Sequence, residues 1–130
     1  MNTLMRIIIG IFITLHGLVH PIMAMVPQPM EEQTGARPVF GGFWTTSWLL
    51  GEGPTIKTLI YILSALVALV LIAAGLGFIG KQPWTEMAWL AGTVLSLLLL
   101  IIFWNNWLVV GTLIDLALLA VPFVTTWLSA

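Results

Sequence analysis

Four apolar runs, each about as long as a bilayer is thick, leave this chain few folds to choose from. Crossing about 30 Å of hydrocarbon takes roughly 20 residues at 1.5 Å each. The runs are Ile7 to Val26, Leu59 to Ile79, Met87 to Trp104 and Trp107 to Leu128. The first carries His16, His20 and Pro21, the second Tyr61 and Ser64, and the fourth a lone Asp115. The pattern predicts an all-α, polytopic membrane protein: one domain over residues 1–130, with four helices in an antiparallel bundle and a long first loop over 27–57. Composition agrees, because 60% of the 130 residues are hydrophobic and only 7% charged. A soluble domain carries about a quarter charged residues, so lipid must be the solvent for most of this surface. With a net charge of −1 there is no basic stripe for nucleic acid. The absence of cysteine excludes disulfide and thiolate chemistry.

Aromatic residues mark the expected interfaces. Trp104-Asn105-Asn106-Trp107 reads as a tight turn with an indole on either side, making the last two spans a hairpin. Trp84 and Trp89 sit near the start of the third span and Trp127 near the end of the fourth. The first half of the long loop, with Pro27, Pro29, Glu31, Glu32, Gly35 and Pro38, reads as solvated coil. Its second half, Phe43 to Leu50, has two readings: a short interfacial helix with Trp44 and Trp48 one turn apart, stopped by Gly51, or a loop that dips its aromatics into lipid. Arg6 followed by an apolar run and Ala24 also resembles a signal peptide, but two histidines and Ile22 fit that poorly, and the segment is read as a span. Arg6 and Lys81 fall on one side, Arg37 and Lys57 on the other. The amino terminus and three loop glutamates tip the balance to cytoplasmic termini, an outer long loop and a multi-pass place in a prokaryotic cytoplasmic membrane.

Ionisable groups inside hydrocarbon are costly and should face the bundle interior with partners. By helical rise, His16 and His20 lie about 15 and 9 Å from the long-loop side, and Asp115 about 12 Å from it. Tyr61 and Ser64 fall at comparable depth. The two histidines are one turn apart and share a face. Gly111, one turn before Asp115, permits close approach on the carboxylate's face. Pro21 cannot donate to the Gly17 carbonyl. A small polar pocket follows, lined by His16, His20, Asp115, Tyr61 and Ser64. It admits a quinone-like or lipid ligand held by a histidine and oriented by Asp115. Two imidazoles and a carboxylate also offer three metal ligands with an open fourth position. A proton relay is a further reading. Against all three stands a structural one, in which these groups bond one another and glue helices one and four. Pro122 is read as a kink near the end of the fourth helix, and Glu86 as complementing the third helix dipole.

The stretches Ile8-Ile9-Gly10-Ile11-Phe12 and Leu15-His16-Gly17-Leu18-Val19-His20, with Phe103 to Gly111 leading into Leu113-Ile114-Asp115-Leu116, resemble the DoxX-like group of small four-helix prokaryotic membrane proteins. The resemblance implies a four-helix fold and a place near membrane redox chemistry, with no catalytic motif to carry across. Three functions follow as expectations. The first is a membrane accessory protein, more an auxiliary than an enzyme, binding a quinone-like or lipid ligand. The second is a non-catalytic structural or assembly subunit of a larger membrane complex. The third is a small transporter that must form a homo-oligomer to build a pathway. A transporter needs a polar route to the opposite side, towards which spans two and three offer only Ser96 and Thr93.

Overall fold

The computed structural model describes residues 2–25, 46–47, 49–103 and 108–129. Among these residues four helices carry the fold: α1 (Thr3–Met25), α2 (Pro54–Ile79), α3 (Thr85–Ile102) and α4 (Val109–Ser129). Between α1 and α2 lie two short strands, β1 (Thr46–Ser47) and β2 (Gly51–Glu52). Three of the helices, α1, α2 and α3, are long and apolar enough to cross a membrane; the described part of α4 contributes a shorter apolar stretch, Val109–Pro122.

Local chemistry sets the helix ends. The Asn2 side chain accepts a 2.8 Å bond from the Met5 N–H, so α1 begins at Thr3, earlier than the apolar run alone suggests. α2 starts at Pro54, ahead of the expected Leu59. Proline suits the first helical position because its missing N–H would have no helical partner there. Gly53 before it has φ 133°, a left-handed value that glycine tolerates. Lys57, assigned to the loop from sequence, thus belongs to the first turn of α2.

Of the two readings for Phe43 to Leu50, the interfacial helix does not hold at residues 46–47 and 49–50, where the stretch is described. Thr46 and Ser47 pair antiparallel with Glu52 and Gly51 as a tight hairpin. Ser47 Oγ accepts from the N–H groups of Leu49 (3.2 Å) and Leu50 (3.0 Å), a local side-chain bond that competes with helix. Gly51 at φ 87° completes the turn. Ser47 also donates a 2.5 Å bond to the carbonyl of Ile102, the last residue of α3, and so pins the hairpin to that helix end. Trp44, Trp48, the coil before them and the Trp104–Trp107 turn lie outside the described residues, as does the side chain of Trp127.

Small residues let the helices close. Gly10 on α1 meets Gly75 and Ile79 near the end of α2, and a β-carbon on Gly75 would collide with Thr14 and the Gly10 carbonyl. Leu71 at the centre of α2 is fully buried and lies against Gly17 of α1 on one side and Gly92 of α3 on the other. Gly77 gives room to Trp84 and Thr85 at the start of α3. By contrast, among the described residues a β-carbon on Gly111 would meet just the Leu100 side chain, at 3.6 Å, so the close approach expected there is an ordinary contact. Ile13, Val67, Leu71, Leu99, Phe103 and Leu108 form the core, while Ile8, Leu15, Leu69, Met87 and Leu113 are exposed outward as in a lipid-facing surface.

Candidate functional site

Three helices bring four polar side chains to one buried place. His16 and His20 project from one face of α1, their rings edge-on with centroids 5.3 Å apart. Asp115 comes from α4 and Ser96 from α3. His16 Nε2 lies 2.7 Å from Asp115 Oδ1. Ser96 Oγ lies 2.5 Å from Asp115 Oδ2 and 2.6 Å from His20 Nε2. His20 closes the set through Nδ1, whose N–H donates across 3.0 Å to the backbone carbonyl of His16. The carbonyl can only accept, so this bond fixes the proton on Nδ1.

Burial is nearly complete. Asp115 and Ser96 have no exposure, His20 has 3% and His16 9%. Phe12, one turn before His16, stacks on its imidazole with planes 5° apart and centroids 6.2 Å apart, and is itself 48% exposed. At the His16 end, Phe12 covers one face of the imidazole. Among the described residues, two buried side-chain polar atoms lack a partner, Arg6 Nε and Thr85 Oγ1, and neither belongs to the cluster.

The candidates read from sequence divide here. His16, His20 and Asp115 meet, with one ligand-type atom from each lying within 4.8 Å of the others. Tyr61 is 41% exposed on α2. Ser64 is buried but turns back on its own helix, donating to the carbonyls of Ile60 (2.7 Å) and Tyr61 (3.1 Å). Ser96 is the residue that sequence reasoning placed elsewhere, on a route to the opposite side. A signal was available. Ser96 precedes Trp104 by as many residues as Asp115 follows Trp107, which sets the two level on neighbouring helices. Thr93, its companion on that supposed route, donates to the Trp89 carbonyl of its own helix.

The distances within the cluster can be set beside those of a metal site. Two ligands on one tetrahedral zinc, each about 2.0–2.1 Å from the metal, stand about 3.3 Å apart. The contacts between His16 and Asp115, and from Ser96 to its two partners, run from 2.5 to 2.7 Å. Those are hydrogen-bond lengths, and the Ser96 hydroxyl occupies the space between His20 and the carboxyl group.

Trp89, expected near the interface, is instead buried as a tie between α3 and α4. Its indole N–H donates 2.8 Å to the carbonyl of Leu118. That carbonyl is the one Pro122 leaves without a helical donor. The ring also packs edge-on against Phe78 of α2 at 5.4 Å.

No family model matches this chain, and neither a curated protein nor a solved structure matches it.

Proposed function

We propose that the four helices cross a cell membrane as an antiparallel bundle and that the chain is a non-catalytic accessory or assembly subunit. In it the cluster of His16, His20, Ser96 and Asp115 fastens α1 to α3 and α4. One observation carries this reading: all four side chains are buried and bonded to one another. An Asp at the middle of a membrane helix costs roughly 2.5–3.5 kcal/mol on insertion scales, a cost that hydrogen-bonded partners offset. The finer parts of the reading go with it: cytoplasmic termini, an outer first loop, and a prokaryotic cytoplasmic membrane.

A second reading keeps the ligand. His16 is the least covered of the four, and its ring stacks on the outward-facing Phe12. A flat, lipid-soluble molecule such as a quinone would reach the cluster there, displacing Phe12 and accepting from the imidazole. The resemblance of the first and fourth spans to the DoxX-like group supports a site of this kind.

Native mass spectrometry of gently extracted protein, beside Asp115→Ala and Phe12→Ala, separates the two. The fastening role predicts bare wild-type protein and an Asp115→Ala variant that unfolds more readily. A stoichiometric quinone, lipid or metal ion on the wild type that Asp115→Ala loses would replace it with the ligand role.

A further inference from the structure

We infer that His20, Ser96 and Asp115 share one proton, which passes between the imidazole and the carboxyl group through the Ser96 hydroxyl. This goes beyond fastening, which needs only that bonds be made. The hydrogens available to the set are too few for its contacts. Each hydrogen bond needs one, and three contacts must be filled: His20 Nδ1 to the His16 carbonyl, His20 Nε2 to Ser96 Oγ, and Ser96 Oγ to Asp115 Oδ2. A neutral imidazole brings one hydrogen, a hydroxyl one and an ionised carboxylate none. The set is one proton short unless it holds an extra one.

Two arrangements fill every contact. In the first, His20 is an imidazolium: Nε2–H donates to Ser96 Oγ, and the Ser96 O–H donates to the Asp115 carboxylate. In the second, Asp115 is a carboxylic acid: its Oδ2–H donates to Ser96 Oγ, and the Ser96 O–H donates to a bare His20 Nε2. They interconvert by a two-proton shift. The Nε2–H bond of His20 breaks as an O–H bond forms on Ser96, while the original Ser96 O–H bond breaks as one forms on Asp115 Oδ2. Imidazolium and carboxylate become imidazole and carboxylic acid, and no electron leaves. With His16 neutral and donating from Nε2 to Oδ1 in both, the cluster has no net charge in either arrangement, as a buried site in lipid requires. Without the shared proton, two lone pairs would face each other across a contact of 2.5–2.6 Å and a bare negative charge would remain.

On α2, Ser64 bonds its own helix, and Tyr61 and Lys57 are exposed. Lys81 and Glu86 are exposed around the α2–α3 turn, and Arg6 lies near the start of α1.

The composition makes the test clean: Asp115 is the sole aspartate, and there are two histidines. Wild-type chain labelled with 13C-aspartate and 15N-histidine in lipid nanodiscs is examined by NMR near neutral pH. The expected result is both His20 ring nitrogens protonated beside a carboxylate, or a carboxylic acid beside His20 protonated at Nδ1 alone, or an average of the two. Warming should shift the His20 Nε2 and Asp115 carboxyl signals together. Ser96→Ala should abolish that correlated shift, and Ser96→Thr, which restores the hydroxyl, should recover it. An ionised Asp115 beside a singly protonated His20 in the wild type would overturn the proposal, whatever the variants do. So would a correlated shift that persists in folded Ser96→Ala, or a stoichiometric metal ion held on His20 Nε2.

Discussion

Asp115 is a carboxyl group without exposure on an otherwise apolar helix face, and each of its oxygens has one partner, His16 or Ser96. Asparagine has nearly the same shape and keeps a bond to both His16 and Ser96, with its second amide hydrogen left without an acceptor among the described residues. Its Oδ1 accepts from His16, its amide donates to Ser96, Ser96 turns to donate to His20 Nε2, and His20 Nδ1 still donates to the His16 carbonyl. Asp115→Asn should therefore lose less stability than Asp115→Ala. Asp115→Ala strands the His16 donor, while Ser96 keeps His20 as a partner, and should lose about 1–3 kcal/mol. Reversible unfolding in mixed detergent micelles measures both. The two histidines and the aspartate were legible in the sequence because an ionisable residue in an apolar run is conspicuous. Ser96 was not, for a physical reason. A hydroxyl on a membrane helix usually satisfies itself on the carbonyl one turn back, as Thr14, Ser64, Thr93 and Thr112 all do here. Ser96 instead faces two side chains on other helices, and its residue type alone gives no sign of that.

Secondary elements were easier to read than the contacts between them. Apolar runs gave the helices to within a few residues, and the ends moved to Thr3 and Pro54 because Asn2 and the Gly53-Pro54 pair supply capping chemistry that hydropathy ignores. Trp44 and Trp48 at helical spacing point to a helix, whereas the hairpin over Thr46 to Glu52 is organised by the Ser47 hydroxyl. Which glycines bring helices together was also hidden, since it depends on which faces meet. Gly75 has backbone and Thr14 atoms where a methyl would go, so Gly75→Ala should cost about 1–3 kcal/mol through forced separation of α1 and α2. Gly111 has only a side chain at ordinary distance, so Gly111→Ala should be neutral or add up to about 1 kcal/mol from helix propensity. Equal losses at both sites, measured by the same unfolding assay, would mean that the helix contacts are drawn incorrectly. Trp89 and Pro122 illustrate the same limit: proline in α4 frees the Leu118 carbonyl, and an indole on α3 fills it.

Taken as a whole, the molecule has few ways to hold its helices other than shape and a handful of buried hydrogen bonds. Lipid offers apolar side chains no reason to prefer one another, so association rests on close packing and polar contacts. Packing at Gly10–Gly75 and around Leu71 joins α1, α2 and α3. The Trp89–Leu118 bond joins α3 to α4. The cluster is what reaches from α1 to α4, and the account stands on that link. A double-mutant cycle tests it most directly, comparing wild type, His16→Ala, Asp115→Ala and the double variant by unfolding in mixed micelles. The account predicts that the two losses do not add, with a coupling of about 0.5–2 kcal/mol. Losses that simply add would contradict it, because His16 and Asp115 would then be stabilising the protein through separate contacts.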